Sequence, residues 1–259
     1  MVSTDLFDLS GKVALLTGAS KGMGEAMAEG LAEHGAKVVI SSRKLDQCQE
    51  AADRINAKCG TGAAIAIACN IGYKDQLQSL VDETRAQLGP IDILVANAGV
   101  NPFYGSMSEI PDEAFDKIMG SNVRSNHWLC QMVSKDMLEK GSGSIMITSS
   151  TGAFSPSETL GTYNISKLAD IALVRNLAAE WGPKGVRVNA LCPGLIKTDF
   201  AKALWDNPEA AARVTEQTPM RRFGESDDFK GIAVFIASEA SSYVTGQALT
   251  VCGGTHMWR

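Results

Sequence analysis

A tyrosine and a lysine stand four residues apart, at Tyr163 and Lys167. In a helical segment both project from one face, one turn from each other. A phenol ordinarily loses its proton near pH ~10, too high for a base in neutral water. A neighbouring ammonium favours the phenolate and lowers that value. Tyr-x-x-x-Lys on one helix is therefore a way to build a proton-transfer group that works near neutrality. On an ordinary solvated helix the same spacing carries no chemistry, so the reading depends on what the rest of the chain places around it.

The chain has 259 residues, within the range of one large α/β domain, and we read 1–259 as a single domain. Hydrophobic residues make up 45% and charged residues 20%, which is the balance of a soluble globular protein. The net charge is −5 and no basic run marks a nucleic-acid face, so no DNA or RNA partner is expected. The first ten residues carry Asp5 and Asp8 without an apolar core, so no signal peptide is expected there. No apolar run approaches ~20 residues, so no membrane span is expected. The six cysteines lack C-x-x-C spacing, which points to buried free thiols and a cytoplasmic location. The three histidines are scattered, and no metal centre is expected.

Short apolar runs alternate with helical patterns from end to end. Strands are expected at 12–17, 37–41, 63–68, 91–96, 143–148, 186–191 and 248–251. Helices are expected at 25–34, 45–58, 74–88, 112–119, 123–140, 163–181 and 227–238. The strands are apolar on both faces, as a parallel sheet covered by helices on both sides requires. The predicted fold is α/β, one doubly wound parallel sheet of about seven strands with the Rossmann arrangement. The segment 200–222 is charged, lacks strand character and reads as an insertion.

Thr17 and Gly18, Gly22 and Gly24 lie between the first strand and the first helix. Missing side chains let such a backbone turn tightly against a pyrophosphate, and the helix N-terminus supplies N–H groups and a favourable dipole. Gly18, Ser20, Lys21, Gly22, Met23 and Gly24 are therefore candidate dinucleotide-binding residues. At the end of the second strand a carboxylate would bind a ribose 2′-hydroxyl, whereas arginine accommodates a 2′-phosphate. The chain has Ser42, Arg43 and Lys44 there, with no acid before Asp46. Ser42 can donate a hydrogen bond and Arg43 can make charge-assisted contacts to a phosphate, with Lys21 adding positive charge. The expected cofactor is NADP(H). If Arg43 and Lys44 are merely solvated, it is NAD(H). Asn70, with Ile71, follows the third strand where an adenine contact is expected, although the Asn70 amide would equally cap a turn. Asn97, Ala98 and Gly99 put small residues where the cofactor must pass, or simply end the fourth strand.

These pieces together resemble the short-chain dehydrogenase/reductase family, from Gly11 to about Gly254. The resemblance rests on the glycine turn, Asn97-Ala98-Gly99, Asn122, Ser150, Tyr163 with Lys167, and Pro193-Gly194. Ser150 lies thirteen residues before Tyr163, as in that family. The resemblance implies a catalytic tetrad of Asn122, Ser150, Tyr163 and Lys167, with Ser149 as the competing, structural serine. It implies nicotinamide-side contacts at Pro193, Gly194, Ile196 and Thr198. Two positions depart from the family pattern. Ala96 stands where an asparagine is frequent, and Asn70 stands where an acidic residue is frequent. Ser42-Arg43 resembles the family's NADP-dependent carbonyl reductases, including peroxisomal-type members. The sequence ends in Trp258-Arg259 rather than Ser-Lys-Leu, so no peroxisomal address is expected.

By that resemblance Tyr163 donates a proton to a developing alkoxide while Ser150 hydrogen-bonds the same oxygen. Lys167 biases Tyr163 and binds the nicotinamide ribose, and Asn122 holds a water leading to solvent. A substrate pocket is expected beyond the carboxyl ends of the strands, walled by Ser150, Phe154, Pro156, Tyr163, Tyr104 and Leu195. Phe200, Leu204 and Trp205, spaced like one helix face, form either a lid or ordinary packing. Such walls suit a hydrophobic ketone or secondary alcohol. A 3-oxoacyl-acyl-carrier-protein reductase shares every motif and would need basic residues at the pocket mouth, for which Arg124, Arg221 and Arg222 are candidates. A cofactor-sensing protein that had lost chemistry would not need Tyr163, Lys167 and Ser150 together. The resemblance also implies an oligomer, most often a homotetramer.

Overall fold

The computed structural model describes residues 6–198 and 205–257. Seven short strands form where the apolar runs fall: β1 Val13–Thr17, β2 Lys37–Ser42, β3 Ala64–Ala68, β4 Ile93–Ala96, β5 Gly143–Thr148, β6 Val186–Pro193 and β7 Ala248–Val251. They make one parallel sheet in the order β3-β2-β1-β4-β5-β6-β7. The helices between them are α1 Gly22–Glu33, α2 Leu45–Cys59, α3 Lys74–Leu88, α4 Asp112–Met119, α5 Ser125–Lys140, α6 Gly161–Trp181, α7 Pro208–Gln217 and α8 Lys230–Ala237.

Successive residues of a strand point to opposite faces, and here each face has its own core. Val13 and Leu15 of β1 join Leu77 of α3, Val133 of α5 and Val174 of α6. Ala14 and Leu16 join Met27 of α1, Ile55 of α2 and Val234 of α8 on the other face. The strands are buried on both sides because helices cover both, which is why they read as unbroken apolar runs. Strand order reverses between β1 and β4, so the loops leaving these two strands diverge and open a crevice at their carboxyl ends.

Some element boundaries differ from those read in the sequence. α1 begins at Gly22 rather than Glu25, inside the glycine turn, and α6 begins at Gly161, two residues before Tyr163. Glycine disfavours helix interiors, so its presence at a first turn reads as loop. The predicted helix 123–140 is α5 preceded by a π-helical stretch, Gly120–Arg124, which runs on from α4. The predicted helix 227–238 opens as a 3-10 turn, Ser226–Phe229, closed by a capping box between Glu225 and Asp228. Within the insertion, α7 is a regular helix, whereas Phe200 and Leu204 lie outside the described residues. All six cysteines are free.

Asp92, 7% exposed, anchors the entrance to β1 and β4. Its Oδ2 accepts the Val13 N–H at 2.9 Å, and its Oδ1 pairs with Lys140, whose side chain is half exposed. The buried amide bond carries this anchor, since an exposed ion-pair partner contributes little. Asp92→Ala should therefore lower the unfolding free energy by about 2 kcal/mol in denaturant titration, and Lys140→Ala by less than ~1 kcal/mol. Equal losses would move the anchor to the ion pair.

Candidate active site

The inward face of α6 is polar where it passes the end of β5. Thr162, Ser166, Lys167 and Asp170 are buried there, and only then does the face turn apolar with Ile171, Val174 and Leu177. Lys167 is 3% exposed. Its ammonium donates to the carbonyl of Thr148, the last residue of β5, at 2.7 Å, and to Asp170 Oδ2 at 3.3 Å. It lies 5.8 Å from the centre of the Tyr163 ring, as one helical turn allows. Burying an ammonium is costly unless it is paired and hydrogen-bonded, and these two oxygens meet that need. Burial pushes the Asp170 carboxyl above its ordinary range, while Lys167 and a hydrogen bond from Asn126 pull it back.

The two serines after β5 separate by partner. Ser149 is buried and donates to the Lys167 carbonyl at 2.7 Å, tying the strand end to the helix. The Ser150 oxygen accepts the Gly152 N–H at 3.0 Å in the short turn that follows. That turn leads to α6, and a side-chain atom on Gly152 would lie 2.5 Å from Asn164 and 3.3 Å from Ser150 Oγ, so Ser150 stands close to the first turn of α6. A hydroxyl that accepts from an amide keeps its own proton for an incoming oxygen.

Asn122 sits in the π-helical stretch and is fully buried. Its Oδ1 accepts the Val100 N–H at 2.8 Å, and its Nδ2 donates to the Val100 carbonyl and to Ser166 Oγ, both at 3.0 Å. Both amide donors are therefore engaged, and any water it holds must donate to one of its oxygens. Asn122 Oδ1 and Lys167 Nζ flank the same space over Gly99, at 3.4 and 3.5 Å from where a side chain there would begin.

The glycine turn after β1 is fitted against the loop after β4. Gly18 has φ +64, and a Cβ on it would lie 2.8 Å from Ala98 Cα. A Cβ on Gly24 would lie 2.2 Å from the Gly18 carbonyl oxygen. Asn97 Nδ2 donates to that same oxygen at 2.9 Å, and Asn97 Oδ1 accepts from Thr148 at 3.2 Å, so Asn97 locks the two loops together. Lys21, at the N-cap of α1, supplies no side-chain cap hydrogen bond. A close-packed turn, small residues and a helix N-terminus opening on a crevice fit a dinucleotide pyrophosphate. Thr198 approaches Gly22 from across this crevice. Gly194 is pinned by its N–H to Val251 at 3.0 Å, and the Pro193 carbonyl accepts from Thr151 at 3.2 Å. Ile196 turns its side chain into the core, leaving only its backbone for a ligand.

At the carboxyl end of β2, Arg43 is exposed, and the Ser42 hydroxyl lies 3.1 Å from the Cys48 thiol. Asn70 Oδ1 accepts the Gly72 N–H at 3.1 Å, the turn-capping alternative, and Ile71 packs against the core. The Phe154 ring stacks on His256 at 4.6 Å, and Trp205 donates to the Thr198 carbonyl at 2.8 Å. Tyr104, Pro156 and Leu195 are exposed. A cavity of about 190 Å³ lies between the loop after β6 and the turn after β7, lined by Leu195, Thr218, Met220, Arg222 and Cys252 among others. Neither Ser150 nor Tyr163 borders it. Among the described residues no group of three or more His, Cys, Asp or Glu is disposed to hold a metal ion, and no helix is long and apolar enough to cross a membrane.

Asp170, Asn126 and His256 join this neighbourhood without a sequence-based expectation. Asp170 alone carried a readable signal, a carboxylate three residues after a lysine on one helix.

A family model described as enoyl-(acyl carrier protein) reductase matches residues 18–256. Dehydrogenase/reductase SDR family member 4 of Bos taurus is 41% identical over 249 residues, covering 95% of this chain and 88% of that protein. The structure of a 7α-hydroxysteroid dehydrogenase complexed with NADH and 7-oxo glycochenodeoxycholic acid superposes with TM-score 0.93 at 37% identity, covering 98% of each chain. A gluconate 5-dehydrogenase from Burkholderia cenocepacia, in complex with NADP and tartrate, superposes with TM-score 0.92 at 32% identity, again covering 98% of each.

The tight Gly24 contact yields a direct test. Gly24→Ala should weaken NADPH binding, measured by calorimetry, by at least ~10-fold, the equivalent of about 1.4 kcal/mol, with the far-ultraviolet spectrum unchanged. Wild-type affinity would remove the turn from the binding site.

Proposed function

The chain belongs to the short-chain dehydrogenase/reductase family of oxidoreductases, and from that premise we propose that it exchanges a hydride between NADP(H) and a ketone or secondary alcohol, with Tyr163 as general acid and base. The observation that carries the proposal is the buried Lys167 ammonium beside the Tyr163 ring, on a helix tied to the strand end that delivers Ser150.

The cofactor, when bound, supplies the hydride for reduction or accepts it in oxidation. Gly18, Ser20, Lys21, Gly22, Met23 and Gly24 hold its pyrophosphate. Asn97, Ala98 and Gly99 flank the ribose, and Pro193, Gly194, Ile196 and Thr198 bound the nicotinamide side. Ser150 gives a hydrogen bond to the substrate oxygen and orients it toward Tyr163. Tyr163 protonates that oxygen as charge develops, or removes its proton in the reverse direction. Lys167 holds positive charge beside the phenol and offers its remaining donor to the ribose. Asn122, by fixing the Val100 loop, keeps Gly99 open for that approach. Phe154, Pro156, Leu195, Tyr104 and Trp205 supply the apolar side of the pocket.

The choice of NADP(H) rests on Ser42 and Arg43 with no acid at the end of β2, since the two related structures name NADP and NADH respectively. The family description points toward carrier-bound acyl substrates as a second reading. Of the three arginines that could greet an acidic carrier, only Arg222 has its charge answered by a carboxylate. Arg124 lies 5.2 Å from the Trp128 ring centre, Arg221 donates to the Glu216 carbonyl, and Arg222 makes two hydrogen bonds to Asp228. We favour a free ketone, which needs no carrier-binding surface. We further propose one domain, a cytoplasmic location and a homotetramer, the last supported by outward-facing Ile165 and Leu168 on α6 and Phe115 on α4.

In a panel of ketones, followed by NADPH absorbance, Tyr163→Phe should lower kcat by at least ~100-fold. Full turnover would end the assignment. Arg43→Asp should shift the NADPH/NADH preference by at least ~10-fold toward NADH, as loss of a charge-assisted hydrogen bond implies. An unchanged ratio would show that Arg43 makes no phosphate contact. Including 3-oxoacyl and enoyl thioesters in the panel separates the second reading, which requires turnover of these and not of free ketones.

A further inference from the structure

Asp170 is 0% exposed, yet it carries a carboxylate one turn below the lysine of the proposed active site. The inward face of α6 continues from it with Ile171, Val174 and Leu177, so an apolar side chain at 170 would extend an existing core. Buried ion pairs replaced by well-packed apolar residues often leave stability equal or improved. Removing the carboxylate alone, however, would leave the Lys167 ammonium buried without its counter-charge, so the reason for Asp170 lies in the lysine it pairs with.

One carboxylate oxygen accepts from Lys167 Nζ at 3.3 Å, and the other accepts from Asn126 Nδ2 at 3.0 Å. Asn126 is itself fixed, because the same Nδ2 also donates to the Asn122 carbonyl at 2.6 Å. The chain of contacts thus runs from the π-helical stretch through Asn126 and Asp170 to the ammonium. An ammonium has three donors. Thr148 and Asp170 take two from opposite elements, which leaves one for the space over Gly99. The titratable groups facing Asp170 are Lys167 on its own helix, Cys130 on α5 and Cys192 on β6. Burial pushes both thiols up, Cys192 to about 11, so they stay neutral near pH 7 and Lys167 is the charge that answers the carboxylate.

We propose that Asp170, held by Asn126, is a positioning residue that fixes the Lys167 ammonium for the proton-transfer reaction. The proposal rests on the reading of Tyr163 and Lys167 given above. Asp170 touches neither substrate nor cofactor; it acts through the lysine.

The test uses the full chain as Asp170→Asn, which keeps side-chain volume and one acceptor oxygen. A second variant is the exchange Asn126→Asp with Asp170→Asn, which keeps a hydrogen bond between positions 126 and 170 and the net charge, gives up the bond from Asn126 to the Asn122 carbonyl, and takes the carboxylate off Nζ. Reductive methylation of the unliganded chain, with peptide mass spectrometry, should label Lys167 several-fold faster in either variant than in wild type. In alcohol oxidation kcat should fall about tenfold, a loss of roughly 1.4 kcal/mol, with the substrate KM little changed. The pH–rate limb should move by half a unit or more, since a charge in contact with the lysine has gone. Wild-type labelling of Lys167 together with a superimposable pH limb in a folded variant would overturn the proposal. So would wild-type behaviour of the exchange variant, which would reduce Asp170 to a structural hydrogen bond. If wild type turns over no ketone or alcohol, the oxidoreductase reading fails separately, and the labelling result still decides whether Asp170 fixes the lysine.

Discussion

Everything in this site depends on keeping one ammonium inside the protein. Lys167 is almost wholly removed from water, and a buried charge survives only where oxygens replace its hydration. The replacements come from three elements. β5 gives the Thr148 carbonyl, α6 gives Asp170, and α5 supports Asp170 through Asn126. Ser149 then ties the backbone of Lys167 to the strand end. The arrangement leaves little freedom in how α6 docks on the sheet, and Tyr163 is carried to its place by that docking.

The sheet supplies the other half of the constraint. Reversal of strand order between β1 and β4 opens the crevice, and Asn97 bridges the two loops that border it. The glycine turn can approach those loops only because Gly18 and Gly24 have no side chain where Ala98 and a carbonyl oxygen already stand. At this turn a pyrophosphate would therefore meet backbone rather than side chains. The crevice is set by packing and does not depend on flexible groups finding their places.

Much of this was legible in the sequence, and the parts that were not have a common cause. The strands could be read because burial on both faces leaves unbroken apolar runs. The glycine turn and the Tyr163–Lys167 spacing could be read because each has a geometric meaning of its own. The helix at α6 could be read but not its faces, since the inward one begins with Thr162, Ser166, Lys167 and Asp170 while Ile165 and Leu168 face outward. A reader who expects polar residues outside assigns Asp170 to solvent. The π-helical stretch at Asn122 was invisible because an i→i+5 turn has no compositional signature. The role of the Asn122 amide, committed to Val100 and Ser166, follows only from coordinates.

The central claim is that the Ser150 hydroxyl and the Tyr163 phenol converge on one substrate oxygen beside the lysine. A crystal structure of the chain with NADPH and a slowly reacting ketone tests this most directly. The account predicts a single ketone oxygen about 3 Å from both hydroxyls, with Lys167 Nζ still on Thr148 and Asp170 and in contact with the ribose. A ketone oxygen bound away from Tyr163, or the two hydroxyls directed into separate spaces, would contradict it.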